Sequence, residues 1–216
     1  MSGPSISAFS QVSPLVLTNR ADRGNLLAKY ENMILKSEEG TMRLSPLPAD
    51  AWDDAVRHAV AAMLPEDRRN PQGAGNLLGT LVHHPELTRA FLRFSLYLLS
   101  GSTLPARVRE QVILRVAHRR GCAYEWTHHV KIGKKAGLSD SDIAAIQSGD
   151  PADPFDRAVC NAVDELDEKT NLSDATWDAL AERLDERQRM DLIFTAGGYT
   201  ALAMALNTFG VEVEQG

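Results

Sequence analysis

Cysteine is almost missing from this 216-residue chain, which has only Cys122 and Cys160. They are too far apart for a Cys-x-x-Cys pair and too few for a disulfide framework. A disulfide-stapled secreted scaffold is therefore excluded, and a reducing cytoplasm is the natural setting. A basic leader is also lacking: the opening MSGPSISAFSQVSPLVLTNR has only a short, interrupted apolar run, so no secretory signal is expected. No phosphate-binding loop or dinucleotide fingerprint occurs. Excess positive charge is absent as well. Lys and Arg total 23 against 29 acids, a net charge of -6, which argues against a non-specific nucleic-acid binder. Long hydrophobic runs are scarce. The one uncharged stretch near membrane-spanning length, LIFTAGGYTALAMALNTFGV, carries three Thr, three Gly and an Asn, so a buried or subunit-interface helix is expected and no membrane partner.

What remains is a chain that is 44% hydrophobic, enough for one compact core. No convincing strand pattern appears, and the fold class read from the residues is all-α. Residues 1–41 form an N-terminal arm with a helical pattern near Arg23 to Glu38, and Met42 offers an alternative start of synthesis. From there a helix is expected to open at Pro48 and Asp50, with Trp52, Val56, Val60 and Met63 on its apolar face. His83 and His84 precede the break at Pro85 and read as structural. A strongly apolar helix then runs to about Leu99. Pro105 and Gly121 bracket the next helix, and Gly137 ends the one after it. Ser139 to Asp142 resembles a capping box, Asp153 or Pro154 opens another helix, and Ser173 starts one through about Leu184. The last helix spans about Glu186 to Thr208, with a disturbance expected at Gly197-Gly198.

The chemistry concentrates in GCAYEWTHHV, Gly121 to Val130. At 3.6 residues per turn, Cys122, Glu125 and His129 stack on one stripe with the apolar arc of their helix. Tyr124 and His128 fall on the opposite arc with the lysines, pointing away. In the preceding helix Glu110 falls among Ile113, Leu114 and Ala117, and Arg109 lies near the same sector. Two inward carboxylates need partners or a proton, so Glu110, Glu125 and His129 form a candidate coupled proton-transfer set. A buried Glu-His pair that merely ties helices together fits the same periodicity.

Other readings are weaker. A di-iron bundle needs two Glu-x-x-His motifs and further carboxylates; only Glu125 and His128 supply one, so no metal is expected. The turn at KKAGLSDSDIAAI could pass for a helix-turn-helix, but its second helix lacks Lys and Arg for phosphates. Trp52, Trp126 and Trp177 suit core packing. Between Pro105 and Gly137 eight Lys/Arg face two acids, a local charge of +6 that leaves -12 for the rest. This zone either complements helix dipoles or draws an anionic small molecule toward the motif.

The run from NLLGTLVHHPEL through STLPARVREQVILRVAHRRGCAYEWTHHVKIGKKAGLSDSDIAAI resembles the carboxymuconolactone decarboxylase family, relatives of the alkyl hydroperoxidase D proteins. The likeness is close from Asn76 to about Gly149 within a domain of residues 42–216, and its most specific part is Tyr124-Glu125-Trp126 with His129. It implies a multi-helical bundle of the alkyl hydroperoxidase D type, assembled as a homo-oligomeric trimer or hexamer with active sites near subunit contacts. Hydroperoxidase relatives carry Cys-x-x-Cys. Here Glu110, Cys122 and His129 stand at matching spacing, but Glu125 replaces the second cysteine. The decarboxylase version implies cofactor-free loss of CO2 from a carboxylated lactone, with His129 as proton donor and Glu125 and Glu110 relaying protons or setting its tautomer. Tyr124 and Trp126 would line the substrate, and Arg109 or Arg115 would hold its carboxylate. A thiol peroxidase using Cys122 is the alternative enzyme, and a silent oligomeric protein the third reading.

Overall fold

A computed structural model describes residues 42–214, and the arm of residues 1–41 with its helical pattern lies outside the described residues. Among these residues all regular structure is helical. The expected all-α class is therefore what the chain adopts.

The first expected helix is much shorter than its periodicity suggests. A 3-10 turn at Ala49–Ala51 is followed by α1, Asp54–Ala59, with the Asp53 side chain accepting from the Val56 N–H. The chain then turns before Pro65, which disfavours helical backbone at Leu64. Trp52, Val56 and Val60 are buried in one apolar cluster, with Leu64 completing it and Met63 only partly buried against it, so the pattern located the apolar face but not the helix length.

Helix α2 (Pro71–Leu81) is capped by Asn70 and interrupted at Gly75, whose φ of +64° with ψ of −171° is a backbone state open essentially to glycine. Helix α3 (Pro85–Leu96) takes its cap from the His84 ring, while His83 bonds to the Ser45 carbonyl; both histidines are structural. A π-helical turn, Tyr97–Gly101, follows. It is tied to the last helix by Asp191, which accepts from the Tyr97 hydroxyl and from the Thr103 N–H and hydroxyl.

Helix α4 (Ala106–Arg119) is the hub, packing on α5 (Ala123–Lys135), α6 (Asp140–Ser148), α7 (Pro154–Lys169) and α9 (Glu186–Phe209). Its Val112, Ile113, Leu114 and Val116 are essentially sealed from solvent, each contributing about 1.5–3 kcal/mol by burial. The caps read from sequence are in place. Ser139 and Asp142 form a capping box, and Asp153 accepts from the Phe155 and Asp156 N–H groups. Ser173 caps α8, Asp174–Ala181.

Helix α9 is continuous through Gly197-Gly198, where a disturbance was expected. The glycine at 198 instead allows close approach. A β-carbon there would lie 2.7 Å from Leu98 Cδ1 and 2.9 Å from Phe94 Cε1. By length and composition α9 could cross a membrane. Here Leu192, Ala196, Tyr199, Ala203 and Leu206 turn one face into the bundle, and Met190, Phe194 and Met204 remain exposed on the other.

The basic zone around α4 and α5 is not a free field. Arg107 pairs with Asp156 and Asp142, Arg115 with Asp164, Arg119 with Asp164, Asp167 and Glu168, Arg120 with Asp167, and Lys134 with Asp140. Most of its charge is consumed by acids of α6 and α7. Arg115, expected to bind substrate, is buried and anchors α4: it also donates to the Ile146 and Gln147 carbonyls. Arg115→Leu should therefore cost about 3 kcal/mol in urea denaturation, because Asp164 and two carbonyls lose their donor. A loss below about 1 kcal/mol would contradict this structural role.

Candidate active site

The loop between α4 and α5 turns at Gly121, whose φ is +59°. The two helices then lie close enough that a β-carbon on Gly133 would meet Leu138 Cδ1 at 3.0 Å and Glu110 Cβ at 3.7 Å. This approach brings the stripe on α5 against the inward side of α4.

Glu110 is fully buried, and both of its oxygens are used. Arg109 Nε donates to Oε1 at 2.9 Å, and His129 Nδ1 meets Oε2 at 2.7 Å. With a carboxylate as acceptor, Nδ1 carries the proton and Nε2 is left as the reactive nitrogen. Tyr199 of α9 meets the His129 ring edge-on, with centroids 5.1 Å apart at 89°. Its phenol is pushed upward in pKa by burial and then by the charges of Glu110 and Glu125.

Glu125 is different. It is 2% exposed, and neither carboxyl oxygen has a hydrogen-bond partner of good geometry among the described residues. Burial pushes its pKa from 4.5 to about 8, only partly offset by the adjacent Cys122 thiol. The carboxyl is thus mainly a neutral acid at pH 7.

Cys122 sits at the N-cap of α5 and is 1% exposed, packed with Tyr124, Ala203 and Leu206. Burial, then the neighbouring Glu125 charge, raises its thiol to about 12. A sealed, protonated thiol is a poor nucleophile. Cys160 is fully buried on α7 beside Gln111, part of a different cluster, so it stands apart from Cys122.

Some of these groups border a cavity of about 180 Å3, whereas Arg109, Glu110, Cys122 and Cys160 stand behind its wall or away from it. Glu125, His129 and Tyr199 line it, as do Tyr124 and His128. The sequence wheel turned the last two outward, and the structure corrects this. Tyr124 is buried, its hydroxyl donating to Glu214 Oε1 at 2.9 Å. His128 stacks on the Tyr124 ring at 4.3 Å, and its Nε2 lies 3.2 Å from Glu214 Oε2. A wheel assigns one inward face, but the start of α5 is clasped on a second side by the C-terminal tail. Glu214 also accepts from the Asn76 N–H, just past the turn at Gly75. Although burial opposes it, that N–H and the Tyr124 hydroxyl hold the Glu214 carboxyl below its usual pKa.

The remaining candidates lie off the cavity. Trp126, partly buried, packs against the cluster of Leu114, Leu138 and Ile146, tilts against His118 and does not line this cavity. Arg109 stands behind Glu110, and Arg115 is committed to Asp164. Tyr199 was missed in the sequence reading; its only signal was a lone tyrosine beside two glycines in the uncharged last helix.

Residues 85–168 match the model of the Carboxymuconolactone decarboxylase family. The likeness to that family thus covers 84 of the chain's 216 residues. It includes Glu110, Cys122, Glu125 and His129, begins later than the resemblance read at Asn76, and extends through most of α7. Tyr199 and Glu214 lie beyond the matched stretch.

Solved structures agree with the domain on fold. A peroxidase-related protein from Ralstonia eutropha JMP134, described as an alkylhydroperoxidase AhpD core, superposes with a TM-score of 0.63 at 19% identity, covering 80% of this chain and 93% of that one. A peroxidase-related protein from Silicibacter sp. TM1040 gives 0.61 at 15% identity, covering 83% and 95%. A protein of unknown function from Agrobacterium tumefaciens gives 0.55 at 21% identity, covering 62% and 94%. No curated protein matches the chain.

The domain's raised Glu125 pKa has a definite sign for stability. The folded state holds this proton more tightly than the unfolded chain, so the stabilisation is complete below pH 4.5 and is lost as pH rises through about 8. Wild type and Glu125→Gln should respond alike to urea at low pH. Across that window wild type should weaken relative to the variant. A constant difference from acid to alkaline pH would show that Glu125 titrates normally.

Proposed function

We propose that the chain is a cofactor-independent enzyme of proton-transfer type, decarboxylating a small carboxylated lactone or related acid. The observation that carries this reading is the buried line Arg109–Glu110–His129, which ends at an apolar cavity beside the buried acid Glu125.

The chemistry follows from that arrangement. In the cavity the bond from carbon to the carboxylate breaks, CO2 leaves, and the electron pair stays on carbon, delocalised into an adjacent carbonyl as an enolate. A dry apolar wall disfavours the compact charge of the carboxylate relative to the dispersed charge of the transition state. The neutral Glu125 hydroxyl donates a hydrogen bond to the developing oxyanion. Protonated His129 then delivers the Nε2 proton to carbon while Glu110 holds Nδ1, and the imidazole recovers a proton from solvent.

The thiol peroxidase alternative is weakened by two features. Cys122 is sealed with a raised pKa, and a carboxyl stands where a resolving thiol would be needed to condense with a sulfenic acid.

The test is CO2 release by the purified full chain from a panel of carboxylated lactones and 3-oxo acids, run beside consumption of an alkyl hydroperoxide with a dithiol. His129→Gln should lower decarboxylation by about a hundredfold or more, and Cys122→Ala should leave it within about threefold. Hydroperoxide turnover that disappears in Cys122→Ala, with no CO2 from any acid, would overturn the reading.

A further inference from the structure

Two adjacent histidines, His128 and His129, line the cavity, and each is met by a different carboxylate. Glu110 meets Nδ1 of His129 from α4, and Glu214 meets His128 from the segment that follows α9. The two arrangements differ in what they leave free. His129 keeps Nε2 for the cavity. In His128, Nδ1 lies 2.8 Å from the Tyr124 carbonyl, which can only accept, so a proton on Nδ1 is donated there. Nε2 is left as the nitrogen able to act, and Glu214 Oε2 stands 3.2 Å from it. Glu214 Oε1 takes the Tyr124 hydroxyl proton as well, and Glu214 itself does not line the cavity.

The place that receives Glu214 is built from several elements. Gly210, with φ of +72°, ends α9 and turns the chain. Val211 and Val213 then pack against the cluster of Cys122, Tyr124, Ala203 and Leu206. Asn76 fastens the segment twice, its N–H donating to Glu214 Oε1 at 2.9 Å and its side-chain amide to the Glu212 carbonyl at 2.9 Å. Gly75 leaves the room, because a β-carbon there would lie 2.8 Å from Glu214 Oε1. A backbone amide, a hydroxyl and an imidazole thus converge on one carboxylate. In this way an outer residue orients the groups that face a site.

We propose that Glu214 is a positioning residue: it occupies the Nε2 side of His128 and the hydroxyl of Tyr124, so that both line the cavity with their rings and His129 is the imidazole that meets substrate. The reaction it serves rests on the decarboxylation reading, but the hold on His128 is measured without turnover.

The experiment is acylation of the full chain by diethyl pyrocarbonate near neutral pH, followed residue by residue by peptide mass spectrometry, since the reagent attacks an accessible bare imidazole nitrogen. The His128 side chain is 36% exposed, so burial alone would not shield it. In wild type it should react at least about tenfold more slowly than the exposed His58. Glu214→Ala should raise the His128 rate by about tenfold and leave His129 within about twofold. Glu214→Gln, which keeps an acceptor for the Tyr124 hydroxyl, should restore most of the protection. Where an acid is turned over, Glu214→Ala should lower kcat by about tenfold, and Glu214→Gln should recover most of the loss.

Equal His128 rates in wild type and Glu214→Ala overturn the proposal, and so does an equal rise at His129, which marks general loosening of α5. If Glu214→Ala does not fold, a wild-type His128 that reacts as fast as His58 overturns it. Lost protection with unchanged kcat also overturns the positioning role. If wild type decarboxylates no acid, the reaction reading fails, and the acylation rates still decide whether Glu214 holds His128.

Discussion

A carboxylate with no solvent exposure cannot remain charged unless other groups replace its water, and the arrangement of this bundle around Glu110 follows from that constraint. Arg109 and His129 occupy its two oxygens. The first is its chain neighbour on α4, whereas the second must come from α5. Fixing that contact sets how α5 lies on α4, with Gly133 facing Leu114 and Glu110 across the seam. Breaking such a buried pair by removing one partner typically costs about 3–5 kcal/mol, far more than a surface pair contributes. The interaction that orients the imidazole is therefore also one that holds two central helices in register.

Glu125 obeys the same electrostatics with the opposite outcome. It has no cation and no donor of good geometry, so burial leaves it protonated rather than paired. Two carboxyl groups of one site thus have different surroundings, one held between Arg109 and His129 and the other facing the cavity with burial raising its pKa. Burial acts on Cys122 in the same sense, holding the thiol neutral. In the proposed reading, this carboxyl beside a neutral thiol favours proton transfer over sulfur redox chemistry.

Much of this was legible in the sequence because it is local. Cys122, Glu125 and His129 share a stripe on one helix, Glu110 falls in an apolar sector of the next, and the caps at Ser139, Asp153 and Ser173 announce themselves within four residues. What was not legible depends on partners distant in sequence. The basic zone looked like a lure for anions because Asp156, Asp164 and Asp167, which neutralise most of it, lie on α7. Tyr124 and His128 looked outward because the Glu214 tail that encloses them belongs to no helix. Tyr199 reaches His129 only once α9 crosses α4, and Gly198 marked a close approach where a disturbance was expected.

The central claim is that Glu110 fixes the His129 tautomer and so presents Nε2 to the cavity. The most direct measurement is the pair of imidazole 15N chemical shifts of His129 in the folded, uncharged state, with two-bond correlations to the ring protons. The account predicts a proton on Nδ1 and a bare Nε2. A neutral ring that carries its proton on Nε2 would contradict it.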